Sequence, residues 1–233
     1  MSKEVIGLGD SVMKGVVMDR DLHYTTLERP FLKQIAPDSE NLGRFGSTIT
    51  TGHMMLERHQ GRLAGKRVLL EFGGNDCNLN WEQISKEKEA PVTAQTDLEL
   101  FTKSYLSLIE KLRGLGSQPV ILSLPPLEQD RFYAHVCRSF DVESKAQVLE
   151  WMNGKTDFIT HWHEQYNLRL FEIARKSDVP IIDITSAFLR LRNHGDYICP
   201  DGIHPNQAGQ DLIAGVLKQV SYSVQGFSSS SGR

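Results

Sequence analysis

The chain is poor in three things, and each shortage narrows its class. Only three cysteines occur in 233 residues, Cys77, Cys137 and Cys199. They form an odd, widely spaced set, unlike a disulfide framework or a zinc-ligand pair, and read as three reduced thiols of a cytoplasmic protein. No apolar stretch approaches the roughly 18 residues needed to span a bilayer. The N-terminus lacks a basic segment leading into a long apolar one, so neither a membrane span nor a signal peptide is expected. Charge of one sign is also lacking. Lys+Arg number 26 against 29 Asp+Glu, a net charge of −3 with no basic run, which argues against nucleic acid or an anionic membrane as partner. What remains, 39 % hydrophobic and 24 % charged residues, suits a soluble globular domain large enough to bury a full core.

Several familiar signatures are absent or incomplete. Gly7-Leu8-Gly9 follows an apolar run, but Val12 stands where a dinucleotide-binding loop needs its third glycine, and Asp10 would repel a pyrophosphate. Gly61-Arg62-Leu63-Ala64-Gly65-Lys66 is one residue too short for a P-loop, lacks the following Ser/Thr and precedes an apolar run instead of following one. There is no G-x-S-x-G elbow. His161-Trp162-His163-Glu164 carries metal-ligating residue types, but residues two apart on a helix point in different directions. These histidines read as solvated neighbours of a core tryptophan, and no metal or organic cofactor is expected.

What is present is an alternation of two periodicities. Apolar, β-branched runs occur at Val5–Leu8, Val68–Phe72, Val120–Leu124 and Val179–Ile184, with a weaker candidate near Glu40–Arg44. Short continuous runs of this kind suit strands buried on both faces of a parallel sheet. Between them, Leu98, Phe101, Tyr105, Leu108 and Leu112 are spaced as one face of a helix, as are Ile159, Trp162, Tyr166, Leu170 and Ile173. A last helix is expected from Asn206, whose side chain would cap it, with Leu212, Ile213, Val216 and Val220 buried. Strands alternating with helices imply right-handed crossovers and an α/β three-layer sandwich on a five-stranded parallel sheet, a single domain over residues 1–222. Residues 76–97 and 125–155 are longer than ordinary connections and read as insertions. Their aromatics Trp81, Phe132, Tyr133, Phe140 and Trp151 either line a substrate pocket, for which Trp81, Tyr133 and Trp151 are the candidates, or form a satellite core. The Ser/Gly-rich end, within 223–233, is expected to be disordered.

In such sheets ligands bind beyond the carboxyl ends of the strands, and four polar segments fall there. Ser11 follows the first strand, after Gly9 and Asp10. At a helix start it is either a simple cap or a nucleophile favoured by the positive end of the helix. Asp201 and His204 lie three apart in a loop before the last helix. A serine hydroxyl needs a neighbouring base, imidazole titrates near working pH, and a carboxylate would fix its tautomer. Gly46, in the stretch NLGRFGSTITTG, and Asn75, in Gly73-Gly74-Asn75-Asp76, could supply a backbone and a side-chain donor to an oxyanion, with Gly43 and Gly52 as competing glycines. Each segment alone also reads as a turn or a cap. All four together, in this order along one sheet edge, point to acyl transfer to water.

These blocks resemble those of the SGNH hydrolases, the GDSL lipase/esterase superfamily. Gly7–Gly15 (GLGDSVMKG) looks like the first block, Asn41–Gly46 the second, Gly73–Asp76 the third and Asp201–His204 the last. Valine at position 12 replaces the leucine of the family name. The resemblance implies a flavodoxin-like fold and a catalytic set of Ser11 nucleophile, His204 general base and Asp201 partner. It further implies an oxyanion hole of the Ser11 N–H, Gly46 N–H and Asn75 amide, with Asp10 and Gly74 in support. The expected function is hydrolysis of carboxylic esters, with small acyl groups such as O-acetyl on a carbohydrate favoured because no long apolar channel is legible. The alternatives are a lysophospholipase or thioesterase acting on longer chains, or a non-catalytic carbohydrate-binding relative. The rate is expected to fall as the base protonates, near the reference value of roughly 6.5.

Overall fold

The computed structural model describes residues 5–228. In chain order the elements are β1 (Val5–Gly9), α1 (Ser11–Lys14), β2 (Val16–Met18), β3 (Tyr24–Thr26), α2 (Phe31–Ile35), β4 (Glu40–Asn41), α3 (Ile49–Leu63) and β5 (Arg67–Glu71). There follow α4 (Trp81–Ile84), α5 (Leu98–Gly114), β6 (Gln118–Leu122), α6 (Gln129–Val136) and α7 (Val142–Trp151). The chain then runs through α8 (Asp157–Ser177), β7 (Ile181–Ile182), α9 (Thr185–Leu189), a 3₁₀ turn at His194–Tyr197 and α10 (Gln207–Ser228). The main sheet has the order β4-β1-β5-β6-β7, and every neighbouring pair in it is parallel. Numbered by its own strands, this is the flavodoxin-like order 2-1-3-4-5, whose ligand crevice lies where the order reverses, between the ends of β1 and β5.

Alternation along each strand builds the three layers. On β5, Val68 and Leu70 pack with Leu56, Phe101, Tyr105 and Leu170 of α3, α5 and α8. Leu69 points the other way, with Phe31, Phe188 and Leu217 of α2, α9 and α10. Both expected helical stripes face the core, with Trp162 and Leu98 half-buried at its edge. Asn206 caps the last helix, accepting the Gly209 N–H at 3.1 Å. The buried face of α10 is narrower than expected. Ile213, Ala214 and Leu217 are buried, whereas Leu212 and Val216 are only partly covered and Val220 is exposed. The helix outruns the sheet it packs on. It continues through Ser228, and residues 229–233 of the expected tail lie outside the described residues.

Two further differences concern strands. β7 spans two residues instead of six, because Pro180 removes a ladder donor and Asp183 turns away to cap α9 through the Ser186 N–H at 2.9 Å. The antiparallel β2–β3 pair was not expected. Asp19 closes its turn by accepting the N–H groups of Asp21 and His23, each at 2.9 Å, and this brings Tyr24 towards the crevice.

The two insertions fold into one satellite body. Leu79 bridges to Ala94, and Leu79, Trp81, Ile84, Leu127, Phe132, Val148 and Ile159 form a third buried cluster. All three cysteines are free and buried. Among the described residues no helix is long and apolar enough to cross a membrane.

Candidate active site

Ser11 opens a four-residue helix whose first amide groups are almost all spoken for. The N–H of Val12 donates to Asp10 Oδ1 at 2.8 Å and that of Met13 to Glu71 Oε2 at 3.2 Å. The N–H of Lys14 donates to the Asp10 carbonyl at 3.0 Å. The Ser11 N–H alone has no acceptor among the described residues, so a free donor sits at the positive end of the turn, beside the hydroxyl.

Ser11 Oγ lies 2.9 Å from His204 Nε2, and His204 Nδ1 lies 2.6 Å from Asp201 Oδ2. All three side chains are buried. Asp201 Oδ1 also accepts the N–H groups of Ile203 at 2.9 Å and His204 at 3.1 Å. Burial works to raise the Asp201 carboxyl, but the hydrogen bond and charge of His204, with those two N–H groups, outweigh it and hold the group below its ordinary value. The carboxylate is therefore the charged partner that keeps a proton on Nδ1 and leaves Nε2 as an acceptor for the serine proton. The loop carrying the pair docks on α6: Gly202 adopts φ +72 and accepts the Glu128 N–H at 2.9 Å.

Of the three glycines in the stretch NLGRFGSTITTG, Gly46 is the one whose N–H has no acceptor among the described residues. Gly43 donates to Asn41 Oδ1 and Gly52 to the Thr48 carbonyl inside α3. Gly46 sits at φ +70 in a turn closed by the Ser47 N–H on the Arg44 carbonyl. Asn75 is less free than the sequence suggests. Its amide donates to Asp10 Oδ2 at 2.9 Å and to the Ser47 carbonyl at 3.1 Å. One of these hydrogens, the longer bond being the cheaper to give up, has to turn or be shared before it can reach an oxyanion. Asp76 ties the same two loops together, both its oxygens accepting the Ile49 N–H at 3.0 and 3.1 Å. Burial pushes the Asp76 carboxyl up to about 7.

Glu71 went unnoticed in the sequence, where it reads as one polar residue closing an apolar run. It is buried beside Asp10, beneath Ser11. Burial drives the Glu71 carboxyl well above its ordinary range, and the Asp10 charge and hydrogen bond drive it further. Asp10 is also raised by burial, while Glu71, the Val12 N–H, His204 and Asn75 oppose that. Two carboxyls in hydrogen-bond contact without a cation share a proton, so the pair carries one charge.

A cavity of about 350 Å³ opens from Ser11 and His204. Tyr24 and Phe45 flank His204 with ring centroids at 5.5 and 5.9 Å, while Trp81 and Phe132 line the interior as well as belonging to the satellite cluster. Of the two readings open for Tyr133 and Trp151, the satellite core is the one they take: both pack against its buried cluster and neither lines the cavity. The Tyr133 hydroxyl donates to the Lys145 carbonyl at 2.8 Å and Trp151 Nε1 to the Ala90 carbonyl at 2.8 Å, so their polar ends pin the insertions together from outside. His163 needs a correction: it is buried in the cavity wall, whereas its neighbour His161 is exposed. Among the described residues no group of three or more His, Cys, Asp or Glu side chains could hold a metal ion.

The arrangement of blocks agrees with comparison against known families. The model of the GDSL-like Lipase/Acylhydrolase family matches residues 8–212. The chain belongs to that family. Among solved structures, a lipase/acylhydrolase from Enterococcus faecalis matches with TM-score 0.61 at 14% identity, covering 93% of this chain and 94% of that one. A member of the lipolytic G-D-S-L family from Veillonella parvula matches with TM-score 0.62 at 16% identity, covering 93% and 97%. A variant of an acetyl-xylooligosaccharide esterase from Geobacillus matches with TM-score 0.59 at 16% identity, covering 93% of each. At such identities these likenesses speak for the GDSL fold alone. No curated protein sequence matches the chain significantly.

Proposed function

We propose that this GDSL-family protein is a serine esterase that hydrolyses carboxylic esters through an acyl-enzyme. The observation that carries the reading is the relay Ser11 Oγ–His204 Nε2 at 2.9 Å and His204 Nδ1–Asp201 Oδ2 at 2.6 Å, at the mouth of a cavity large enough for a small ligand. His204 Nε2 takes the Ser11 proton as Oγ bonds to the ester carbon, and the carbonyl π pair moves onto oxygen. The free N–H groups of Ser11 and Gly46, and one hydrogen of Asn75, receive that oxyanion. The tetrahedral intermediate collapses with loss of the alcohol, which takes its proton from His204. Water, deprotonated by His204, then attacks the acyl carbon, and the second collapse returns the proton to Ser11 Oγ and releases the acid.

Acetyl or another small acyl group is the simplest substrate, in keeping with the acetyl-xylooligosaccharide esterase of the same fold. The cavity supports a second reading, a bulkier acyl group, because its volume exceeds what an acetyl methyl needs. Labelling by a fluorophosphonate probe, with turnover of 4-nitrophenyl acetate, butyrate and octanoate, tests the mechanism and the acyl size together. Wild type is expected to label and turn over, and folded Ser11→Ala and His204→Ala to do neither. A folded wild type that neither labels nor turns over would make the chain a non-catalytic binder. Labelling that persists in Ser11→Ala would mean another nucleophile.

A further inference from the structure

Leu124, Trp81, Phe132, Ile159 and Trp162 form an apolar part of the cavity beside Ser11, and His163, the one buried histidine of its lining besides His204, stands with them. Ile159, Trp162 and His163 are spaced three and four apart on α8 and so share the face it presents to the cavity. His163 is 4 % exposed, yet its imidazole makes no hydrogen bond to any described residue. Burial, with no opposing charge, holds its pKa down at about 4, so the ring is neutral at working pH and offers one donor and one acceptor. Neither ring nitrogen is sealed from the cavity, so a group that enters can pair with it. A convergent polar group on an apolar wall is the ordinary build of a ligand site, where that group sets orientation.

The two sides of the ester can be told apart. The leaving alcohol must receive a proton from His204 Nε2, so it lies on the His204 side. There the walls are Tyr24, Phe45 and Arg138, all exposed, and Tyr24 and Phe45 are packed against the imidazole. The acyl group then takes the buried side, towards Leu124 and α8. We infer that the acyl part of the substrate carries one neutral hydrogen-bonding group, a hydroxyl or a carbonyl, which His163 holds against the apolar wall formed with α8. A neutral group suits the site better than an ionised one, because a charge buried there would lose its hydration. A plain hydrocarbon chain leaves the ring nitrogens unpaired and dry. This inference rests on the serine-esterase reading, takes its bulkier-acyl form in place of acetyl, and adds to it the class of acid released.

The test uses the full chain and 4-nitrophenyl esters in matched pairs that differ by one oxygen function. The pairs are 3-phenylpropanoate with 3-(4-hydroxyphenyl)propanoate, 4-phenylbutanoate with 4-(4-hydroxyphenyl)butanoate, and hexanoate with 5-oxohexanoate. A site built to hydrogen-bond a substrate group discriminates strongly against the analogue without it. In at least one pair, wild-type kcat/KM is expected to favour the oxygenated ester by about tenfold or more. His163→Leu should bring that ratio to within about twofold of unity, with His163→Met as the second apolar variant should the first fail to fold. His163→Gln, which keeps a donor and an acceptor, should retain part of the preference, and His161→Leu on the exposed neighbour should retain all of it. Labelling and turnover separate the two levels of the argument. A folded wild type that takes no fluorophosphonate label and turns over none of these esters removes the esterase reading and this inference with it. Labelling or turnover with no preference in any pair, or a preference that survives His163→Leu, overturns the inference alone. A preference seen only when the oxygen function is moved to the leaving alcohol overturns the acyl-side placement.

Discussion

Asp201→Asn isolates the orienting role of the carboxylate with almost no change of shape. In the native loop Asp201 Oδ1 accepts two backbone N–H groups and Oδ2 faces His204 Nδ1 at 2.6 Å, with the side chain fully buried. Asparagine can keep its oxygen on the two N–H groups, which places its NH₂ against Nδ1. Nδ1 must then become the acceptor, and the imidazole proton moves to Nε2, the atom that has to take the Ser11 proton. Loss of the correct tautomer costs about 10⁴ in kcat, or about 5 kcal/mol of transition-state stabilisation. Stability should change little at neutral pH, because the loop keeps its backbone bonds. The sign of the acid dependence follows from the direction of the shift. The Asp201 carboxyl sits below its ordinary 3.8, so it contributes stability above that value and loses it as pH falls through the folded-state value. The asparagine variant should lack that acid-side loss. The assay is 4-nitrophenyl acetate turnover alongside the rate of fluorophosphonate labelling, with urea unfolding as the control for folding. A folded Asp201→Asn protein within about tenfold of wild type in both rates would refute the argument that the carboxylate sets the tautomer.

Three further perturbations probe the supports of the site. Glu71→Gln keeps a donor for Asp10 and an acceptor for the Met13 N–H and should stay within about 1 kcal/mol of wild type, whereas Glu71→Leu strands both and should cost about 3 kcal/mol by urea unfolding; equal losses would show that the carboxyl pair is not a hydrogen-bonded unit. Gly202→Ala places a Cβ against the Glu128 carbonyl and the Phe132 nitrogen at φ +72, so the 201–204 loop must move. Activity should drop on the order of a hundredfold, and wild-type turnover by a folded alanine variant would refute the close docking. Asp76, pushed up to about 7 by burial, holds its proton in the folded state while the unfolded chain releases it near 3.8. Wild-type stability should therefore fall from about pH 4 to pH 7, and Asp76→Asn, whose carbonyl can still accept the Ile49 N–H, should flatten that slope. Unfolding midpoints across this range would decide it, and identical slopes would count against the buried, protonated form.

What the sequence by itself determined is what local repetition and short motifs can encode. The apolar runs around Val5–Leu8 and Val68–Phe72 and the stripes through Tyr105 and Tyr166 record burial on both faces of a sheet and on one face of each helix. They carry the α/β class without knowledge of any contact. Ser11, Gly46, Asn75, Asp201 and His204 stood out because each occupies a turn that a strand end or helix start forces to the same edge. Weak or compensated local signals were not legible. Three polar residues open the β2–β3 turn and its strands are three residues long; β7 is cut short by a proline and a cap; and Val220 keeps the helical spacing after the sheet has ended.

Tertiary structure alone decided how the site is furnished. Glu71 is indistinguishable in sequence from a surface glutamate at a strand end until Asp10 is seen beside it. Tyr133 and Trp151 look as eligible for the pocket as Trp81, and only the direction of each side chain separates them. His163 has the composition of a solvated histidine, yet it faces the cavity because the insertions close over α8. Burial, proton sharing and cavity shape depend on atoms brought together from distant segments, and no window of the chain contains both partners.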